Sequence, residues 1–158
     1  MTAFRKTHSP LGQIRRHLEP SPALCGTYIW DGNHSFEMLR RSKECVINVP
    51  TVDLTEEVIG IGNSSGDRID KFKEFGLTPV PGVVVRAPAI KECYASFECQ
   101  LIDAKLIQKY GLFIWRVVKA HVAASVKSPQ TIHYRGQGVF MVAGRTINRR
   151  RKFKPQNL

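Results

Sequence analysis

Asn33 to Pro50 reads NHSFEMLRRSKECVINVP, and the fold turns on this stretch. Just before it, Leu24-Cys-Gly-Thr-Tyr-Ile-Trp30 is an apolar run of strand character that stops at the turn signal Asp31-Gly32. Asn33 or Ser35 is then placed to cap a helix whose apolar residues are Phe36, Met38 and Leu39. The helix leads back into a second strand, Cys45-Val-Ile-Asn-Val49, closed by Pro50. Strand, polar loop and helix start make a geometry suited to an anion. The first-turn N–H groups lack intrahelical partners, and the helix dipole adds roughly half a positive charge there. Asn33, His34 and Ser35 supply side-chain donors at that spot, and Arg40 and Arg41 add charge one turn on. A phosphate site and an ordinary helix cap both fit these residues.

Working outward, 158 residues that are 42% hydrophobic suffice for one globular domain with a real core. No run approaches the ~20 apolar residues of a membrane span. Met1 to His8 has no apolar stretch of signal-peptide length behind its charges, so a cytoplasmic protein is expected. Cys25, Cys45, Cys93 and Cys99 show no CxxC spacing and read as reduced, buried small hydrophobes. Alternation puts Cys93, Ala95, Phe97, Cys99 and Leu101 on one strand face. The two cysteines then lie about 20 Å apart, too far to bridge. No histidine pairs with a cysteine at metal-finger spacing, so no metal is expected.

The net charge of +11 is unevenly placed. Residues 1–20 carry four Lys/Arg and one acid, and residues 145–158 carry six and none. That leaves 14 basic against 12 acidic residues in between. The Arg149-Arg-Arg-Lys-Phe-Lys154 run can meet nucleic acid or an acidic partner. It has no aromatic ladder or nucleic-acid fold beside it, which favours a solvated tail.

Beyond Pro50, Asp53 and Glu56 signal a short helix through Ile59, followed by Gly60-Ile-Gly-Asn-Ser-Ser-Gly66. A helix is predicted over Asp67–Phe75, stopped by Gly76. Pro79, Pro81 and Pro88 punctuate an extended stretch around Val83–Val85. Long strands are expected at Cys93–Asp103 and Gly111–Val122, joined by a turn or helical segment, and a last pair at Thr131–Tyr134 and Gly138–Ala143. Long strands joined mainly by turns predict a mainly antiparallel barrel. The glycine-rich loop is no dinucleotide fingerprint, because Ser65 stands where the third glycine belongs and a helix precedes it instead of a strand. Asn63, Ser64 and Ser65 remain as small donors, serving a second anion-type site or a well-capped turn. His133-Tyr-Arg-Gly136 closes a strand; His133 can donate to a ligand carbonyl and Arg135 can pair with a phosphate, or both simply face solvent.

Taken together, NHSFEMLRRSKECVINVP, GIGNSSGDRIDKFKEFGLTPVPG, APAIKECYASFECQL and TIHYRGQGVFMVAG resemble the flavin reductase-like family of flavoredoxin type, over roughly residues 24–148. The resemblance implies a mainly β fold, a Greek-key FMN-binding split β-barrel with a few short helices, filling 1–158 as a single domain. It implies a homodimer that takes hydride from NADH or NADPH onto bound FMN, then passes electrons to an acceptor, which can be a protein, or releases reduced flavin. On this chain, Asn33, His34 and Ser35 would meet the FMN phosphate. Asn63, Ser64 and Ser65 would lie near the cofactor, with Asp70 and Lys71 supporting that loop. His133, Arg135 and Gly136 would line the rim of the flavin or nicotinamide site, and no side chain is assigned a catalytic proton transfer.

The chain departs from the family pattern at its start. Leu18-Glu-Pro-Ser-Pro22 runs almost directly into the strand at Leu24, so 1–22 is an atypical N-terminal segment without the family's hairpin. Residues 149–158 form a basic tail. Three functions therefore stand: an FMN-dependent NAD(P)H oxidoreductase, a flavin-binding or inactive barrel, and a barrel binding nucleic acid through its basic ends.

Overall fold

In the computed structural model, which describes residues 22–157, the opening stretch folds as strand β1 (Leu24–Tyr28), helix α1 (His34–Ser42) and strand β2 (Glu44–Val49). A 3-10 turn at Val52–Leu54 leads into α2 (Thr55–Gly62) and the single turn α3 (Lys71–Glu74). Two short strands, β3 (Pro79–Val80) and β4 (Ala89–Ile90), flank a loop. Then come β5 (Ala95–Asp103), α4 (Ile107–Tyr110), β6 (Leu112–Val122), β7 (Ile132–Gly136) and β8 (Val139–Val142). Residues 22–144 form one compact body. Residues 145–157 belong to another, with 3-10 turns at Arg150–Lys152 and Pro155–Asn157. The atypical N-terminal segment expected at 1–22 lies, apart from Pro22, outside the described residues.

The main sheet is antiparallel with strand order β1-β6-β5-β2, and β3–β4 and β7–β8 form separate pairs. Register slips beside Cys99 and Leu101 interrupt the β5–β6 ladder. Such irregularities sharpen local twist and help a sheet curl. The result is mostly strand with a few short helices, as the sequence predicts.

The core lies inside the curl. Cys99, Ile107, Phe113 and Trp115 are its buried centre, with Phe36, Leu39, Cys45, Ile47 and Val117 packed against it. Phe113 and Trp115 sit two apart on β6, share a face and stack with centroids 5.5 Å apart. Phe36 of α1 meets Phe113 edge-on at 5.5 Å, which docks the helix on the sheet. Burying rings of this size contributes roughly 4–6 kcal/mol each, as an upper estimate. The Trp115 indole N–H donates to Thr27 Oγ1 at 2.8 Å, so its polar edge is satisfied inside the core. Met38, the third apolar residue of α1, stays exposed.

The other face of β5 is covered as well. Ser96 and Glu98 are buried under the segment between β3 and β4. Glu98 Oε1 accepts the Val83 N–H at 3.0 Å, and Oε2 accepts those of Val84 at 2.6 Å and Val85 at 3.0 Å. His121 Nε2 stands 2.7 Å from Oε1. Nearby, Asn48 Oδ1 accepts from the Ile90 N–H at 3.0 Å and the Ser96 hydroxyl at 2.8 Å. Val83–Val85 is thus no ladder strand, because its amides bond a carboxylate.

Two further expectations change. The helix predicted over Asp67–Phe75 is only α3, because Asp70 is extended (φ −81°, ψ 98°) and accepts from the Phe72 and Lys73 N–H groups. An N-cap in that conformation starts a helix and cannot continue one. Gly60 and Gly62 belong to α2, not to a loop. A Cβ on Gly60 would lie 2.3 Å from the Phe75 ring, so that glycine makes room for packing. Gly76, at φ +63°, does follow the helical turn as expected.

Candidate functional site

Residues 33–35 lie at the start of α1, where the docking of Phe36 on Phe113 fixes the helix. The capping expectation fails here: neither Asn33 nor any other side chain caps this helix. The Phe36 N–H bonds the Asn33 carbonyl at 2.9 Å, and the N–H groups of His34 and Ser35 find no acceptor among the described residues. All three residues, Asn33, His34 and Ser35, are exposed. An exposed helix start with free donors is chemically an anion acceptor.

The second segment folds against the first. A Cβ on Gly66 would stand 3.8 Å from His34 Cδ2 and 4.0 Å from Lys71 Cε. The loop carrying Asn63, Ser64 and Ser65 therefore passes beside the α1 start. Lys71 holds it there, its ammonium donating at 2.8 Å to the carbonyls of both Ile61 and Ser64. Two of its three N–H groups are used, which leaves one for a ligand. The Ser65 hydroxyl holds the Asp67 carboxyl below its usual range, with Arg68 and His34 adding to that effect. Asp70 serves as the cap of α3.

The arginines one turn along do something else. Arg40 Nε and Arg41 Nε lie 3.0 Å and 2.9 Å from the Glu37 carboxylate, whose pKa Arg41 and then Arg40 lower. Both guanidinium groups are engaged by Glu37 of the same helix.

His133, Arg135 and Gly136 sit on the β7–β8 hairpin. His133 Nε2 lies 3.3 Å from Thr131 Oγ1, and Thr131 pairs with Thr51 just beyond β2. Arg135 is exposed. The described contacts of this third segment run to its own hairpin and to the end of β2. The convergence of His34 with Gly66 and Asp67 was out of reach of the sequence, since no local pattern reports which loops meet.

The likenesses of this chain to known proteins accord with that architecture. An uncharacterized protein of Archaeoglobus fulgidus is 31% identical over 98 residues, covering 62% of this chain and 55% of that protein. The chain thus spans about half the length of the curated relatives it matches. Among solved structures, the flavoredoxin of Desulfovibrio vulgaris (Miyazaki F) superposes with a TM-score of 0.73 at 20% identity, covering 82% of this chain and 74% of that one. An FMN-binding protein from Thermus thermophilus, crystallised with p-hydroxybenzaldehyde, gives 0.70 at 21% identity, covering 80% and 73%. At such identities these likenesses carry the fold. The family profile described as "Flavin reductase like domain" matches residues 17–140, most of the chain. This protein therefore belongs to the flavin reductase-like family.

Proposed function

We propose that this chain is an FMN-binding oxidoreductase of the flavin reductase type, moving hydride from NADH or NADPH to the flavin. The observation that carries the reading is the uncapped start of α1 with the 63–71 loop folded beside it. In this reading the free N–H groups of His34 and Ser35, with the Ser35 hydroxyl and the Asn33 amide, bind the FMN phosphate. Lys71 sets the position of Asn63, Ser64 and Ser65 through its two carbonyl bonds and directs its remaining N–H toward the ligand. His133, Arg135 and Gly136 form the rim that a nicotinamide would meet. When bound, FMN supplies the hydride-accepting chemistry, and the protein binds, orients and shields. No proton transfer is assigned to a side chain.

The same reading has the chain act as a cytoplasmic homodimer that releases reduced flavin or passes electrons to an acceptor protein. Mixing FMN-loaded protein with NADH or NADPH without oxygen tests it. Bleaching of the flavin's visible absorbance faster than for free FMN supports hydride transfer. Retained flavin with no acceleration by either donor leaves a binding protein without turnover and overturns the oxidoreductase reading.

A further inference from the structure

Residues 145–157 hold the densest run of positive charge on the chain. Arg145, Arg149, Arg150, Arg151, Lys152 and Lys154 stand here with no acidic residue among them, and all six are exposed. None lies within ion-pair distance of a carboxylate among the described residues, whereas Arg40, Arg41 and Arg86 of the body each do. The run is nonetheless folded into a turn. The Asn148 side-chain oxygen accepts the Arg150 N–H at 2.9 Å, and Arg149 Nη1 donates to the Asn148 carbonyl at 3.1 Å. The Lys152 N–H bonds the Arg149 carbonyl at 2.9 Å. Asn148–Lys152 thereby line an open hollow of about 660 Å³.

The shape of this turn selects among polyanions. A 3-10 turn sets successive side chains about 120° apart, so Arg150, Arg151 and Lys152 point three ways. A flat acidic protein face meets one of those directions at a time, while a flexible strand of phosphates can pass round all of them. Three of the four consecutive cations are arginines, whose planar forks bond phosphate oxygens in pairs and stack on bases. Phe153 follows, 57% exposed, and offers an aromatic face to a base. The sequence alone favours a solvated tail; the radiating turn and the ring beside it point to a ligand. We infer that the 145–154 segment binds single-stranded nucleic acid, through its phosphates and without sequence preference. This inference rests on the segment itself and is independent of the flavin reading.

The test is fluorescence anisotropy of labelled oligouridylate, oligothymidylate and a DNA duplex, each of about 20 units, with the full chain and two variants. One variant combines Arg149→Gln, Arg150→Gln, Arg151→Gln and Lys152→Gln; the other is Phe153→Ala. Circular dichroism and thermal unfolding verify folding, which these exposed positions should not disturb. The parent should bind both single strands, with log K falling against log salt at a slope of about −3 to −4, as roughly five phosphate contacts give. The quadruple variant should bring that slope to about −1 and weaken binding on the order of tenfold or more at low salt. Phe153→Ala should weaken binding several-fold at an unchanged slope. The relative affinity of the two single strands assigns the segment to RNA, to single-stranded DNA or to both, and each order supports the inference. No saturable binding by the parent overturns it, as does a quadruple variant with the parent's affinity. A duplex bound as tightly as the single strands overturns it too. Polyglutamate that displaces the oligonucleotides at equal charge assigns the segment to an acidic protein partner and likewise overturns it.

Discussion

Replacing Glu98 with glutamine removes one charge from a place that water does not reach, while the side chain keeps its size. The carboxylate is fully buried and accepts three backbone N–H groups, besides its contact with His121. Burial alone would raise its pKa; the Val83 N–H, His121 and the Val84 and Val85 N–H groups outweigh that and bring it down to about 2. Glutamine fits best with its NH2 toward His121, which can accept as a neutral imidazole, and its oxygen toward Val84 and Val85. The Val83 N–H then loses its acceptor, at about 1–3 kcal/mol, and the remaining bonds lose their charge assistance. The sum is a destabilisation of about 2–4 kcal/mol, or ~5–15 °C in Tm for a chain of this size.

The same contacts also make the stability depend on pH. A pKa lowered from 4.5 to about 2 is stability present above the unfolded-state value and lost as pH falls toward the folded-state value. It corresponds to about 3 kcal/mol. Urea unfolding of parent and Glu98→Gln, measured from pH 7 down to pH 2, checks both. The parent should lose stability between roughly pH 5 and pH 2 more steeply than the variant, so the two curves converge in acid. Parallel curves, or a variant within about 0.5 kcal/mol of the parent at pH 7, would refute the clamp assigned to Glu98.

Three other outcomes are expected. Lys71→Met frees the Ile61 and Ser64 carbonyls and should weaken FMN binding on the order of tenfold, with faster amide exchange across 61–70. Thr27→Val leaves the Trp115 indole N–H buried without its partner, costing about 1–3 kcal/mol in urea unfolding with an unchanged m value. Burial raises the thiols of Cys45 and Cys93 to about 11 and that of Cys99 to about 12. These should therefore resist an aromatic disulfide reagent at pH 8 and react only once denaturant is added.

The strands and α1 were legible because their signals are local: alternation in β5 and β6, a turn at Asp31-Gly32, and apolar spacing at Phe36 and Leu39. The resemblance narrowed the expected antiparallel barrel to a split, FMN-binding one. Glu98 was not legible. A lone acid in a strand reads as solvent-facing, and nothing nearby announces three amide donors 13 to 15 residues upstream. The predicted helix over 67–75 failed for a related reason. Asp67 and Asp70 suit a helix start equally well, but Ser65 occupies Asp67 and only Asp70 caps. At the candidate site, sequence named Asn33, His34, Ser35 and the 63–65 loop, but it could not bring them together. It also read Asn33 or Ser35 as a cap, whereas the uncapped helix start leaves donors for a ligand.

The most direct test of the central claim is titration of the purified chain with FMN, following flavin fluorescence, beside a Ser35→Ala variant. The account predicts saturable quenching at one flavin per chain, weakened in the variant, with inorganic phosphate competing. An absence of saturable quenching at high micromolar flavin, or a Ser35→Ala curve that overlays the parent, would contradict the phosphate site at the start of α1.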